Sequence, residues 1–241
     1  MTVVIKDNTG SFRDKALGWG GCPISTEGLE IAHFFGGTLE SSLRNFANGK
    51  ANASAIGAPS VNANSVSLQG GLNMIQTTMA DTNELTLLIA FKPLEVSDVI
   101  IAGNLITPGG GGPTRKVAIA WSAPDLKVNG FRGTDIGGPG APLPTVLVPA
   151  IPVCMSLRNN TGANPTVKLN NLTKGEVGTA VNPGTPSLGS AIRVGGAYST
   201  GYSGKSEVYA VLGFSRNLTD AELATLYAWL KGYCARRNIV I

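Results

Sequence analysis

A chain of 241 residues, 43% hydrophobic and 14% charged with a formal net charge of +4, is long enough for one large sandwich or two small domains and apolar enough to build a core. Its 19 basic residues are scattered, which argues against a nucleic-acid surface, and no apolar run approaches the ~20 residues of a membrane span. The 32 glycines and 14 prolines suit many short strands joined by tight turns.

The opening Met1-Thr2-Val3-Val4-Ile5-Lys6-Asp7 lacks the layout of a secretory signal, so synthesis in a cytosol is expected. Residues 1–27 stand apart as a lead-in segment with a short strand at Thr2 to Lys6 and a hinge at Gly18 to Gly21 and Pro23; residues 28–241 read as one domain. Strands are expected at Ile31 to Phe35, Val66 to Leu68, Glu84 to Lys92, Val99 to Ala102, Lys116 to Trp121 and Leu126 to Phe131. Further ones are expected at Thr145 to Val148, Val153 to Leu157, Thr166 to Leu169, Ala191 to Val194 and Glu207 to Phe214. The plainest is Glu84 to Lys92, with Leu85, Leu87, Ile89 and Phe91 on one face and Pro93 as its stop. In the last strand Val208, Ala210, Leu212 and Phe214 alternate with Tyr209 and Val211, so both faces are apolar and burial on two sides is expected.

Thr38 to Phe46 invites one short helix, and the clearest helix closes the chain over about 219–235. Thr219 with Glu222 three residues on forms a capping box, and Leu218 with Leu223 forms a hydrophobic staple. Leu223, Leu226, Tyr227, Leu230 and Cys234 make one apolar stripe, while Lys231, Arg236 and Arg237 gather where cations suit the helix dipole. Many short strands and one late helix predict an all-β, two-sheet antiparallel sandwich with a C-terminal helix.

The order of these pieces resembles the concanavalin A-like, or laminin-G-like, jelly-roll family over roughly residues 28–235. The resemblance rests on Gly28-Leu29-Glu30-Ile31-Ala32-His33-Phe34-Phe35, the turn-rich Asn45 to Gly57, Val66-Ser67-Leu68-Gln69-Gly70-Gly71, the strand ending Phe91-Lys92-Pro93, and Ile192-Arg193-Val194-Gly195-Gly196. Its best match is Asn217-Leu218-Thr219-Asp220-Ala221-Glu222-Leu223. The style of the chain is similar to bacteriophage tail and other virion proteins of this family, which implies a virion location, other virion proteins as partners and a homo-oligomer, with a trimer favoured. The lead-in segment would then serve oligomerisation or virion contact.

Catalytic chemistry is sparse. The family's glucanase branch sets two carboxylates about 5–5.5 Å apart on a Glu-x-Asp-x-x-Glu strand, and that pattern is missing from the chain, which argues for a protein that is not an enzyme. His33 is the single histidine and reads as a hydrogen-bonded strand residue, so a histidine triad or zinc site is not expected. Cys22, Cys154 and Cys234 lie far apart and read as buried thiols. Asp125, Asn129 and Asp135 would suit calcium only in part and read as turn formers; no metal or other cofactor is indicated. Pro108 to Lys116 is glycine-rich but lacks the Gly-Lys-Ser/Thr ending of a phosphate loop.

Aromatic and polar loop residues remain. Sugars are held by stacking on aromatic rings beside planar polar groups, and Tyr198, Tyr202, Phe131, Arg132 and Asp135 are the residues of that kind. The expected function is a non-enzymatic, lectin-like virion module that binds a cell-surface glycan through them. A purely structural virion subunit is the alternative, and a polysaccharide-degrading enzyme a weaker one. Trp19 and Trp121 read as packing residues.

Overall fold

The computed structural model describes residues 21–106, 117–122, 127–133, 140–161, 165–181, 184–198 and 201–241. The expected strand Thr2 to Lys6, most of the lead-in segment, Trp19, Asp125 and the glycine-rich Pro108 to Lys116 lie outside the described residues. In chain order the strands are β1 (Leu29–Phe34), β2 (Ser54–Ile56), β3 (Ser60–Val61), β4 (Val66–Gln69), β5 (Met74–Gln76), β6 (Leu85–Pro93), β7 (Val99–Gly103) and β8 (Val117–Ser122). They continue with β9 (Lys127–Arg132), β10 (Gly140–Val146), β11 (Val153–Asn159), β12 (Thr166–Asn171), β13 (Glu176–Val181), β14 (Arg193–Val194) and β15 (Lys205–Phe214). Two helices accompany them, α1 (Leu39–Leu43) and α2 (Asp220–Ala235).

The strands form two antiparallel sheets. Sheet A runs β13-β12-β11-β6-β15-β4-β3, with β1 also on β15; sheet B runs β10-β9-β8-β7-β14-β5-β2. Strand β15 takes two partners on one side because it is long: Lys205 to Val208 pair with β4, and Ala210 to Phe214 pair with β1. Between these halves it bulges, since Val208 and Ala210 sit opposite the adjacent residues Phe91 and Ala90 of β6. Tyr209 is therefore the extra residue. The bulge changes the faces expected from simple alternation: Val208 and Val211 both enter the core between the sheets, whereas Tyr209, Ala210, Leu212 and Phe214 face the other way.

Two apolar layers result. Between the sheets, Leu87, Ile89, Phe91 and Val211 meet Ile75, Ile101, Ile119 and Trp121. On the outer side of sheet A, α2 lays Leu223, Leu226, Leu230 and Cys234 over Leu88, Ala90, Leu212 and Phe214. This is why β6 and β15 read as nearly continuous apolar runs: each is covered on both faces. A fully buried leucine contributes about 1.5–3 kcal/mol relative to an exposed one, so the three in α2 outweigh the ~1 kcal/mol of a helix cap. Arg158 of β11, almost fully buried, ties the helix start down by donating to Leu218 O at 2.8 Å and to Asp220 Oδ1 at 2.5 Å.

Local differences from expectation have local causes. Pro93 is the last residue of β6 rather than its stop, and β10 begins at Gly140 rather than Thr145. Strand β10 is an edge strand, where Pro142 and Pro144 remove no needed ladder bond. Strands β2, β3, β5 and β13 were not expected at all; three of them have two or three residues, and β13 is rich in Gly178 and Thr179 rather than in an apolar pattern.

Candidate functional site

The outer face of sheet B gathers the aromatic residues. In β14, only two residues long, Val194 enters the core between the sheets and Arg193 faces out. Gln76 lies opposite Arg193 on β5, next to the inward Ile75, and so shares the outer face. The chain then turns at Gly195, whose φ of +77° favours glycine and whose Cα packs so tightly that a Cβ would meet Leu68 Cβ at 2.3 Å. It runs back over the sheet, with Gly195 N–H on Ile101 O at 2.9 Å and Tyr198 N–H on Leu105 O at 3.1 Å.

This return places the Tyr198 ring against the Arg193 guanidinium, 3.6 Å from Cζ to the ring centroid. Arg193 Nε donates to Gln76 Oε1 at 2.8 Å and Nη1 to Ala197 O at 3.0 Å. The Tyr198 hydroxyl lies 3.0 Å from both Gln76 Oε1 and Ala191 O. Ring, guanidinium and amide are thus locked into one half-buried plate, each rotamer fixed by a neighbour. Beside it, Tyr202 and Phe131, also half-buried, pack on Ile100, Leu105, Ala118, Ala120 and Ala197. Phe131 is seated over Gly140, where a Cβ would come 2.8 Å from its ring.

Of the residues expected to bind ligand, Phe131, Tyr198 and Tyr202 therefore share one face. Arg132 does not. It follows Phe131 in β9 and points the opposite way, its side chain 1% exposed and paired with the fully buried carboxylate of Asp81. Its Nη2 donates to Thr82 O at 2.7 Å, while Asp81 Oδ2 accepts from Asn104 Nδ2 at 3.0 Å and Gly189 N at 2.8 Å. Asp135 lies outside the described residues. Gln76 and Arg193 were missed from the sequence, although the alternation Ile192-Arg193-Val194 already put the arginine on the face away from the core.

Other chemistry-bearing groups are committed to structure. His33 is buried with Nδ1 2.8 Å from Arg44 O, and burial pushes its pKa down to about 4. Asp220 pairs with Arg158 and Lys168, Glu222 with Arg216, and Glu95 with Lys205. Cys154 and Cys234 are buried free thiols whose pKa values desolvation raises; Cys22 is half-buried and free. Among the described residues, no group of three or more His, Cys, Asp and Glu is placed to hold a metal ion, and no helix is long and apolar enough to cross a membrane.

Comparison with solved structures places the architecture. The chain is similar to Trypanosoma rangeli sialidase, with a TM-score of 0.59 at 14% identity, over 83% of this chain and 32% of that one. It is also similar to the receptor-binding domain of botulinum neurotoxin C/D mosaic serotype, with a TM-score of 0.61 at 11% identity, over 86% of this chain and 53% of that one. The chain shares with them a two-sheet antiparallel sandwich, here closed by a C-terminal helix. It spans about a third of the length of the sialidases it matches and about half of the receptor-binding domains. No protein-family model matches it, and no curated protein matches its sequence.

One expectation is corrected by this comparison. The missing Glu-x-Asp-x-x-Glu strand argues for a chain without enzymatic activity, yet the structures it matches include sialidases, which are enzymes. The absence of one branch's carboxylate pattern does not exclude catalysis by a sandwich of this architecture.

Proposed function

We propose that the chain is a carbohydrate-binding sandwich whose recognition surface is the outer face of sheet B, and that its ligand is a cell-surface glycan. The observation that carries this reading is the plate formed by Arg193, Tyr198 and Gln76. A ring already covered on one face by a planar cation, with both held by hydrogen bonds, loses little side-chain entropy when a sugar packs against the pair, so the ordering cost of binding is small. Phe131 and Tyr202 extend the aromatic surface on the same face. One of the matched structures, a sialidase in complex with sialic acid, supports the choice of ligand class, and another, a receptor-binding domain, supports a recognition role.

The proposed setting follows the sequence resemblance: the surface of a virion, a bacteriophage tail or fibre, where a homo-oligomer, with a trimer favoured, presents several copies together with other virion proteins. Several weak sites on one particle bind a glycan-coated surface far more tightly than one.

A glycan array probed with the full chain tests the reading, followed by titration of any hit against Tyr198→Ala, Tyr198→Phe and Arg193→Ala. We expect the alanine variants to lose affinity about tenfold or more, while the phenylalanine variant, which keeps the ring, stays within about threefold. An array without signal, or alanine variants that bind like the parent, refutes it.

A further inference from the structure

The opposite side of the sandwich carries a cleft of about 530 Å³ that the sheet B surface does not involve. Its floor is the outer face of sheet A where β6 ends and β15 begins, with Lys92 opposite Glu207 in the ladder and Tyr209 beside them. The turn between β3 and β4 forms one wall, Ala150 and Pro152 ahead of β11 form another, and the segment after α2 closes the third with Asn238, Ile239 and Val240. Five chain segments remote in sequence thus meet around one hollow. Its size lies within the ~300–1,000 Å³ of small-ligand sites.

Its charges are already paired. Lys92 Nζ pairs with Glu207 Oε2, and Ser65 Oγ donates to Glu207 Oε1, so the carboxylate is neutralised and hydrogen-bonded in place. Asn62 Nδ2 holds that serine from the other side, 3.1 Å from Ser65 Oγ. Asn64 spans the cleft from the turn to the segment after α2, its Nδ2 3.4 Å from Arg237 O. Burial, then the nearby Glu207 carboxylate, raise the pKa of the Tyr209 phenol, so it stays a neutral hydroxyl. A wall of amides, hydroxyls and a cancelled ion pair, alternating with Pro152, Ile239 and Val240, offers little to an ion. It suits a neutral ligand that presents hydroxyls and C–H faces together.

Backbone conformation singles out the same place. Among the described residues, two that are not glycine have a left-handed φ, Ala150 at +66° and Asn238 at +59°, and both line this cleft. Asn238 is explained by its position: it follows α2, donating to Ala235 O at 3.1 Å, where asparagine is an accepted helix stop. Ala150 has a Cβ but no polar side-chain group to support such a conformation, which costs about 1–2 kcal/mol. Its N–H is held 2.7 Å from Pro93 O, fixing the wall against the end of β6. Strain of this kind concentrates at ligand clamps.

We propose that this cleft is a second carbohydrate site, for a neutral mono- or disaccharide unit, acting independently of the sheet B surface. The test is NMR titration of the ¹⁵N-labelled full chain with methyl glucoside, methyl galactoside, methyl mannoside and lactose, with free sialic acid as an anionic contrast. At least one neutral sugar is expected to shift the side-chain amides of Asn62, Asn64 and Asn238, and sialic acid is expected to leave them in place. Asn64→Ala, and Ala63→Trp as an exposed blocking substitution at the rim, should each weaken that binding about tenfold or more; Arg193→Ala should leave it unchanged. Dispersed amide spectra for both variants establish that they fold. Absence of shifts with all four neutral sugars, shifts confined to the sheet B face, or equal weakening by Arg193→Ala each overturn the proposal. Because the sheet B surface is tested by Tyr198 and Arg193 variants and this cleft by Asn64 and Ala63 variants, the two readings fail separately.

Discussion

Arg132 and Asp81 form an ion pair sealed inside the sandwich, with side-chain exposures of 1% and 0%. Asp81 also collects Asn104 and the Gly189 amide, so one carboxylate ties β9 to the segments before β6, after β7 and before β14. Removing one partner strands a buried charge. Asp81→Asn is expected to destabilise the fold by about 3–5 kcal/mol, and Asp81→Asn with Arg132→Met by less than the single change, because the second substitution removes the stranded cation. Urea unfolding midpoints of the three proteins check this; a double variant less stable than Asp81→Asn alone contradicts it.

That pair also shows how far a sequence carries. The closing helix was fully legible because its signals are local: the box of Thr219 and Glu222 and the stripe from Leu223 to Cys234 lie within sixteen residues of one another and form as expected. Strand β6 was legible for the same reason. Arg132 was readable too, since Val128 and Gly130 share its face, but a charged residue next to Phe131 in a turn-rich stretch invited a surface reading. The bulge at Tyr209 was not readable, because two-sided burial gives an apolar run in which no polar residue marks the face. The plate of Gln76, Arg193 and Tyr198 depends on a cross-strand pairing, and pairing between remote segments leaves no local trace.

His33 predicts acid sensitivity of a defined sign. Its Nδ1 faces a carbonyl, which only accepts, so Nδ1 carries the proton; Nε2 is buried with no hydrogen-bond partner among the described residues and stays bare. The ring is neutral, and burial, opposed in part by the bond to Arg44 O, lowers its pKa to about 4. The unfolded histidine titrates near ~6.5, so between those values the unfolded chain binds more protons than the folded one. Stability is therefore complete above the unfolded pKa, falls as pH drops towards the folded one, and levels off below it. Linkage sets the slope at about 1.4 kcal/mol per pH unit, so about 2 kcal/mol is lost between pH ~6.5 and pH ~5. With a single histidine in the chain, the imidazole signal can be followed without assignment. A titration midpoint in the native protein above about 6 contradicts the burial argument.

The start of α2 separates a neutral cap from an ionic one. Thr219 Oγ1 accepts from the Glu222 amide at 3.2 Å, and Glu222 Oε2 accepts from the Thr219 amide at 2.9 Å while Oε1 takes Arg216 Nη2 at 2.7 Å. The Arg216 bond first, then the Thr219 amide, hold the Glu222 pKa down to about 2. Since the folded value is depressed, this contribution is present above the usual glutamate range and is lost as pH falls towards 2. Thr219→Ala should cost about 1 kcal/mol at any ionic strength. Glu222→Gln, which keeps a capping acceptor and loses only a partly exposed pair, should cost at most about 1 kcal/mol at low salt and less at high salt. Thermal melts of both variants at two salt concentrations distinguish them.

Adjacent glycines in the turn after β4 make opposite predictions for the sheet B surface. Gly71 has a φ of +76° and open space within 4 Å of where a Cβ would stand, so Gly71→Ala is penalised by its backbone alone, by about 1–2 kcal/mol. Gly70 is the reverse case: it donates to Gly204 O at 3.2 Å, and a Cβ there would lie 1.8 Å from Tyr202 O. A backbone oxygen cannot rotate away as a side chain can, so Gly70→Ala must push the segment bearing Tyr202 off the sheet. If that segment carries glycan binding, Gly70→Ala loses affinity for any glycan the parent binds, while Gly71→Ala keeps it despite a comparable loss of stability. Amide shifts of Ala197 and Leu105, which share the cluster under Tyr202, report the displacement directly. They should move in Gly70→Ala and stay in Gly71→Ala; equal shifts in both would mean that the two substitutions act through stability and not through the position of the ring.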